Sequence, residues 1–153
     1  MADTSLSGKK IGLLVWQVSN HWQNKLRFIL KKHKMTLNEF LLLESIYELQ
    51  SKQKTISQNE LSIYSGIDTA VVSVVIKNLE RKKFIKRITD IDNRKKSIEM
   101  LSMGSEQFNI IYPKVITEEQ NIFSKLQNEK NNFTNSLRLI LGKKLRIKVD
   151  NSI

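Results

Sequence analysis

Hydrophobic residues recur at three- and four-residue steps along most of the chain, which is the spacing of one face of an α-helix. The N-terminal run predicts an amphipathic helix over 8–33, with apolar positions Ile11, Val15, Val18, Trp22, Leu26 and Ile29. A second helix is predicted to start after Thr36, because Thr36 and Glu39 form a T-x-x-E capping box. The apolar face of that helix continues through Leu43, Ile46, Tyr47 and Leu49.

Two further helices are predicted before the middle of the chain. Ser57 and Glu60 form a second capping box, and the short helix that they open ends at Gly66. The next segment, TAVVSVVIKNLERKK, is ambiguous, because AVVSVVI has the β-branched density of a buried strand. The cap at Asp68 and the continuation NLERKK favour a helix, whose apolar positions are Val72, Val75, Ile76 and Leu79.

A β-hairpin is predicted after these helices, with FIKRIT and KSIEML as its strands. Two short helices followed by paired strands are the arrangement of a helix-turn-helix with a wing. The hairpin tip, TDIDNRKKS, begins with residues that favour turns, namely Asp90, Asp92 and Asn93. Turn chemistry does not explain the three basic residues that follow, Arg94, Lys95 and Lys96.

The last third of the chain predicts long helices again. One apolar face contains Phe108, Ile111, Tyr112, Val115, Ile122 and Leu126, and a later one contains Phe133, Leu137, Ile140, Leu141 and Leu145. Pro113 removes one backbone donor and is expected to kink the first of these helices. These faces fit either subunit contacts or an intramolecular core.

Composition indicates one globular domain spanning 1–153. With 153 residues and 40% hydrophobic content, the chain can form one ordinary core. No apolar run approaches the roughly 20 residues needed to cross a bilayer, and no apolar segment acts as a secretion signal. We therefore expect a cytoplasmic protein without membrane contact. Because the chain has no cysteine, disulfides, thiolate metal clusters and cysteine redox switches are excluded.

The charge distribution is strongly basic. The formal net charge is +11, and residues 51–101 are the most basic third, with eleven basic and six acidic side chains. A positive surface attracts nucleic acid by counterion release, while general solubility charge is the alternative. Charge alone does not decide between these two interpretations.

Catalysis and metal binding find little support in the sequence. There are two histidines, His21 and His33, no G-x-S-x-G or P-loop motif, and no carboxylate pair placed for acid–base chemistry. His21 lies near Trp16 and Trp22, but no further metal ligands are grouped with it, so a structural or solvated histidine is preferred. We expect a protein that is not an enzyme and uses no cofactor or metal.

From MTLNEFLLLESI through the hairpin to IEMLS, the chain resembles the winged-helix transcriptional regulators of the MarR (multiple antibiotic resistance regulator) family. The most specific element is the wing pattern D-x-R followed by a strand and L-[TS], here Asp92, Arg94, Leu101 and Ser102. The resemblance implies that Arg94 enters the DNA minor groove and that Asp92 orients it. Lys95 and Lys96 then become phosphate contacts. A narrow A·T-rich minor groove suits such an arginine, because it concentrates negative potential.

The predicted recognition helix departs from the polar or basic surface that is common in this family. Its exposed DNA-facing positions are expected to be Thr69, Ala70, Val71, Ser73 and Val74, with Lys77 as a further contact. The first five cannot make the bidentate contacts by which Arg reads guanine or Asn reads adenine, although methyl groups can pack on thymine. An A·T-rich operator read largely by shape is therefore expected. The alternative is that Val71 or Val74 packs within the protein.

The resemblance also implies a homodimer and a ligand. Family members interlock two subunits through terminal helices, which assigns 8–33 and 103–146 to dimerisation and 36–101 to the winged helix. Many family members bind small aromatic or anionic ligands between these regions, which here would involve His21, Trp22, Phe28, Phe40 and Tyr47. The preferred alternative is that these are ordinary core aromatics.

The sequence thus predicts a mainly α-helical winged helix-turn-helix protein with a small β-hairpin wing and long N- and C-terminal dimerisation helices. We expect a sequence-specific, double-stranded DNA-binding transcriptional regulator, acting as a dimeric repressor at a palindromic A·T-rich operator. Two alternatives stay open: a winged-helix protein-interaction module that has lost operator binding, and a nonspecific DNA binder. The apolar recognition surface is the reason for keeping the first of these.

Overall fold

The computed structural model describes residues 8–89 and 96–142. Over these residues the chain forms helices and a hairpin in the order α1 (Ile11–Lys31), α2 (Leu37–Gln50), α3 (Gln58–Ser65), α4 (Thr69–Arg81), β1 (Ile85–Thr89), β2 (Lys96–Met100), α5 (Ser102–Phe123) and α6 (Lys130–Ile140). A 3₁₀ segment, Ser124–Glu129, lies between the last two helices. The predicted fold, mainly α with a β-hairpin wing, is confirmed.

The chain divides into two compact units after Ile116. The first unit holds the hydrophobic core, in which α2, α3 and α4 pack on one another. Its largest fully buried side chains are Phe40, Phe108, Leu26, Leu30, Leu42, Leu43, Ile46, Leu61, Ile76, Leu79, Ile85 and Ile111. Burial of this many apolar side chains is the main favourable term for the fold of this unit.

Only the C-terminal part of helix α1 packs into the core of the first unit. Leu26 and Leu30 near its C-terminal end are fully buried, whereas Ile11 and Val15 of the predicted face are 77% and 52% exposed. The apolar periodicity predicted the helix correctly. The N-terminal part of the predicted face, however, has no covering surface within the described residues of this unit.

The hairpin is a two-stranded antiparallel sheet in which Ile85 pairs with Met100 and Thr89 pairs with Lys96. Two hydrogen bonds attach it to the segment before α3: the Ile98 N–H donates to the Ile56 carbonyl at 2.8 Å, and the Ile56 N–H donates to Ser97 Oγ at 3.1 Å. The base of the wing is therefore anchored to the helix-turn-helix through one backbone bond and one side-chain bond, in addition to the burial of Ile85 and Ile98.

The start of α5 is pressed against the chain just before β1. The Leu101 N–H donates to the Phe84 carbonyl at 2.9 Å, and a Cβ built on buried Gly104 would overlap that same carbonyl oxygen. Glycine at 104 therefore permits the close approach of two backbone segments.

Helix α5 continues through Pro113, and the irregular backbone lies later, at Gln127, which has a φ of 49°. Part of the apolar face predicted here belongs to the core of the first unit, since Phe108, Ile111 and Val115 are buried. For these three residues the intramolecular alternative holds. In the second unit, neither the 3₁₀ segment nor α6 contains a buried residue in the described part of the chain.

Candidate nucleic-acid interface

Caps define both ends of α3 and the start of α4. Ser57 and Glu60 form the predicted reciprocal capping box at the start of α3, with bonds of 3.1 and 2.8 Å. Gly66 ends α3 in the left-handed region at φ 75°, and the Asp68 carboxylate accepts the Ala70 N–H at 2.9 Å to open α4. Because each end of the turn is hydrogen-bonded, α4 leaves it in a defined direction.

Helix α4 separates a buried face from an exposed one. Val72, Val75, Ile76 and Leu79 are buried, which identifies the ambiguous AVVSVVI segment as helix. On the other side Val71 and Val74 are 38% and 59% exposed, so the alternative that they pack within the protein is wrong for the described chain. Thr69, Ala70 and Lys77 are also exposed, and Ser73 is half-buried. The structure thus brings all six predicted positions of α4 to one accessible side or its edge.

The structure describes only one of the four predicted wing contacts, Lys96. Lys96 is exposed at the first position of β2, opposite Thr89. Asp92, Arg94 and Lys95 lie outside the described residues, so their predicted contacts stay predictions.

An ion pair joins α4 to the wing. Arg87 of β1 pairs with Glu80 of α4, and both side chains are partly buried. A second pair, Lys86 with Glu99 at 3.7 Å, crosses the two strands on the exposed surface and contributes little by comparison. The Glu80–Arg87 pair therefore ties the last turn of α4 to the strand that leads to the wing tip.

A third ion pair, between Glu39 and Lys82, was not predicted from the sequence. The Glu39 side chain is only 5% exposed, and its carboxylate accepts from Lys82 Nζ at 2.5 Å. Lys82 Nζ also donates to the Lys34 carbonyl at 2.7 Å. The T-x-x-E pattern had assigned the Glu39 carboxylate to the backbone of Thr36. That half of the predicted box is wrong, because Lys82 at the end of α4 supplies a stronger, charged donor.

Tyr64 of α3 forms a polar tie to α2. Its hydroxyl donates to the Glu48 carboxylate, and Lys52 Nζ lies 5.6 Å from its ring centroid. The hydrogen bond to Glu48, together with desolvation and the negative charges of Glu48 and Glu44, raises the pKa of Tyr64 to about 12. Nothing in the sequence pattern indicated this cluster, because its members belong to different helices.

The five residues of the predicted ligand site lie in different surroundings. Phe40 is fully buried and stacks on Phe108 at 5.9 Å, which makes it a core aromatic. Tyr47 is 43% exposed and contacts the same ring at 4.7 Å. Phe28 is 68% exposed beneath Lys32 Nζ, while His21 is exposed and Trp22 is half-buried. For Phe40 the core alternative is therefore favoured.

A groove of about 550 Å³ lies elsewhere, between the α2–α3 connection and the base of the wing. Lys52, Lys54 and Ile88 are among its lining residues, and none of the five predicted ligand residues lines it. Among the described residues there is no cluster of three His, Asp or Glu side chains that could hold a metal ion. In that same part of the chain, no helix has the length and apolar character of a membrane span.

Comparison with known proteins agrees with this architecture. The family model described as MarR family matches residues 35–97. A curated relative, the uncharacterized HTH-type transcriptional regulator YdcH of Bacillus subtilis (strain 168), is 30% identical over 131 residues, which are 85% of this chain and 88% of YdcH. The chain belongs to the MarR family. This MarR-family chain is a winged-helix, DNA-binding transcriptional regulator, as its sequence predicted.

Solved structures share the MarR-family fold. Staphylococcus aureus MepR in its DNA complex superposes with a TM-score of 0.77 at 24% identity, covering 87% of this chain and 95% of MepR. Bordetella bronchiseptica BpsR, whose DNA binding is regulated by 6-hydroxynicotinic acid, has a TM-score of 0.76 at 18% identity, covering 92% of this chain and 97% of BpsR. At these identities the likeness concerns the fold.

Proposed function

We propose that this MarR-family regulator is a cytoplasmic homodimeric repressor that reads a palindromic, A·T-rich operator. The observation that carries the proposal is the accessible side of α4, which is uncharged over its first turns while the helix itself is capped and packed. A rigid helix with an exposed face of this kind is suited to the major groove.

The side chains of α4 favour recognition by methyl contacts and shape. Val71 and Val74 expose methyl groups that can pack against thymine C5-methyl groups, and Thr69 adds a hydroxyl at the start of the helix. Ser73 and Lys77 supply weaker or nonspecific polar contacts. Because no bidentate donor is present at these positions, the central bases are read mainly through A·T content and groove geometry.

The wing supplies the second contact in this proposal. Arg94 enters the minor groove, Asp92 orients it, and Lys95 and Lys96 contact phosphates. The Glu80–Arg87 ion pair supports this arrangement, because it holds the strand that leads to the wing against α4. Insertion of an arginine is most favourable where an A·T-rich minor groove is narrow.

The homodimer is supported by the exposed apolar side chains at both ends of the chain. In α1, Ile11 and Trp16 are 77% and 63% exposed, and in α6, Leu139 and Ile140 are 66% and 75% exposed. Apolar surfaces of this kind mark association sites on proteins. In the proposed dimer, 8–33 and 103–146 form the subunit contacts, and a two-fold axis relates two copies of the winged helix over 36–101.

A small ligand releases the protein from its operator in this proposal. BpsR offers a precedent in the fold, since 6-hydroxynicotinic acid regulates its DNA binding. A small aromatic or anionic ligand of this chain would contact the accessible members of the predicted set, His21, Trp22, Phe28 and Tyr47, more readily than buried Phe40. The ligand must bind more tightly to the conformation that binds DNA poorly, because a ligand with equal affinity for both conformations leaves their populations unchanged.

Selection of bound fragments from genomic DNA, followed by salt titration, tests the proposal. Arg94→Ala should weaken binding to the selected operator by about 1–3 kcal/mol per lost contact, with a smaller effect on a scrambled A·T-matched duplex. Lys95→Ala should weaken both and lower the salt slope by roughly one unit per subunit. Val71→Ala should change base preference and leave the salt slope as it is, because valine carries no charge.

The two alternatives predict different outcomes. Unrelated DNA displaces a nonspecific binder from the selected operator as readily as operator DNA does. An interaction module has no salt-sensitive DNA binding at all. If Arg94→Ala binds both duplexes as tightly as the parent, the wing is a solvated hairpin and the proposed minor-groove contact is wrong.

A further inference from the structure

The segment 8–38 contains no acidic residue, although it carries seven lysine and arginine side chains. In the structure this segment is α1 and the turn that follows it. Arg27 and Lys31 are exposed one turn apart on the same face of α1, and Lys34 is exposed in the turn. A surface of one sign over a whole helix is unusual, because charges of both signs normally alternate on exposed helical faces.

A second basic segment meets this one in space. Lys82 Nζ donates to the Lys34 carbonyl at 2.7 Å, so the residues that end α4 lie beside the α1–α2 turn. Lys83, the next residue, is exposed. On α5, Lys114 Nζ lies 3.3 Å from His33 Nε2 and is also exposed. We call these five cations the α1-end patch: Arg27, Lys31, Lys34, Lys83 and Lys114.

Two acidic groups near the α1-end patch are engaged with other cations. Glu39 lies beside Lys34 and Lys82, but its side chain is 5% exposed and is engaged with Lys82. Glu80 is engaged with Arg87. Glu118 lies one turn after Lys114 on α5 and can balance that cation, so the excess positive charge of the patch rests on Arg27, Lys31, Lys34 and Lys83.

Helix dipoles account for only part of this charge. Lys31 lies in the last turn of α1, where a cation is stabilised by the C-terminal end of the helix. Lys83 directly follows the C-cap of α4, where a cation is stabilised in the same way. Arg27 lies a full turn before Lys31, and because dipole compensation falls off within the last turn, it gives no reason for a cation at that position.

The patch lies away from the proposed DNA-reading surface. At 1.5 Å per residue, Lys83 lies about 14 Å beyond Val74 along the axis of α4 and about 9 Å beyond Lys77, the last proposed contact of that helix. Likewise, β1 begins at Ile85 beside the patch and runs toward the wing connection after Thr89. A duplex that receives the start of α4 therefore lies at the opposite end of that helix from the patch.

We propose that the α1-end patch binds the phosphate backbone of a second segment of duplex DNA, so that one protein can hold two segments together. The proposal rests on DNA binding by this protein and extends it to a second surface. The five cations come from four separate parts of the chain, which suits an extended polyanion better than one small anion. Arg27 and Lys31 are about 6 Å apart along the helix axis, near twice the rise of 3.4 Å per phosphate of one strand.

The test is a two-duplex capture assay on the full chain. An immobilised duplex that the parent binds is saturated with protein, unbound protein is washed away, and a fluorescent duplex of unrelated sequence is added. The triple variant Arg27→Gln/Lys31→Gln/Lys34→Gln should retain the second duplex about tenfold less than the parent. Arg27 and Lys31 lie at the opposite end of α1 from Ile11 and Trp16, whose exposed side chains support the dimer. The triple variant should therefore sediment as the parent does and bind the immobilised duplex within about twofold of it.

A charge-matched control is Lys10→Gln/Lys125→Gln/Lys130→Gln, which removes three exposed cations elsewhere. This control should capture the second duplex as the parent does. The salt slope of capture should fall by roughly 0.9 per lost phosphate contact in the patch variant and stay unchanged in the control. Absence of capture by a parent that saturates the first duplex overturns the bridging proposal and leaves the proposed repressor intact. Equal weakening of both steps in the patch variant also overturns it. A parent that binds neither duplex contradicts both proposals.

Discussion

Helices α4 and α6 have similar lengths, 13 and 11 residues, and both carry apolar side chains at helical spacing, yet they use them differently. Four apolar residues of α4 are buried in the core of the first unit. None of α6 is buried, and Leu139 and Ile140 are 66% and 75% exposed. An apolar stripe therefore predicts that a helix needs a covering surface. It does not say whether that surface lies in the same chain.

We call the first unit closed, because it has a buried core, and the second unit open, because neither its 3₁₀ segment nor α6 has a buried residue among those described. The packing of the closed unit should be disrupted most strongly by a substitution at Gly104. Gly104→Ala should lower the free energy of unfolding by about 3 kcal/mol, because the added Cβ overlaps the Phe84 carbonyl and neither backbone segment can move freely. Urea denaturation measures this as a lower midpoint at unchanged slope.

Gly12→Ala is the matched control, since Gly12 lies in α1 with nothing within 4 Å of an added Cβ. That substitution should be neutral or stabilise the helix by up to about 1 kcal/mol. If Gly104→Ala unfolds within about 0.5 kcal/mol of the parent, then the start of α5 is not held against the chain before β1.

The buried ion pair gives the next largest expected effect. Lys82→Met leaves the Glu39 carboxylate buried without its cation, which should cost about 2 to 3 kcal/mol of unfolding free energy. The value is below that of a fully buried pair, because the Lys82 side chain is 33% exposed. Adding Glu39→Gln to this variant should restore more than half of the loss. Failure of that rescue would mean that lost packing, and not the unpaired charge, causes the effect.

Local signals in the sequence predicted most of the winged helix. The capping box at Ser57, the glycine at 66 and the cap at Asp68 each act over four residues or fewer, and all three are present in the structure. Glu39 shows the limit of such signals. Its T-x-x-E spacing predicted a bond to the backbone of Thr36, but its partner is 43 residues away in the chain. A long-range pair of this kind leaves no periodic trace.

The site was predictable to a similar extent. The spacing of Val72, Val75, Ile76 and Leu79 defines the buried face of α4, and so it also predicts that Val71 and Val74 face outward. The aromatic residues carried no comparable information, because a buried Phe40 and an exposed Phe28 look alike in a helical pattern. Which aromatic residue is accessible depends on contacts such as Phe40 with Phe108, formed between separate helices.

The open unit should respond to substitution through association and not through the stability of the core. Leu137→Asp with Leu141→Asp places charges on apolar side chains that are 38% and 70% exposed. We expect the dimer dissociation constant to rise about thirtyfold, equivalent to about 2 kcal/mol, because a charge in an apolar seam lacks a partner. Sedimentation measures the change.

Ile63→Asp is the control for this experiment, since Ile63 of α3 is 74% exposed but lies outside the proposed subunit contacts. It should leave the dissociation constant unchanged. A parent chain that sediments as a stable monomer at micromolar concentration contradicts the dimer, and the exposed residues of α6 then need another partner.

The smallest expected effect concerns the polar edge of the closed unit. The hydrogen bond from Tyr64 to Glu48 raises the pKa of Tyr64 from 10.0 to about 12, which means that the folded state favours the neutral phenol. The stabilisation is therefore complete below pH 10 and is lost as the pH rises toward 12. Because the pair is exposed, Tyr64→Phe should cost less than about 0.5 kcal/mol near neutral pH. Absorbance titration should reveal a tyrosinate step near pH 12 in the parent that the variant lacks. If the two titrations coincide, Tyr64 does not hold α3 to α2, and the closed unit depends on apolar packing alone at this edge.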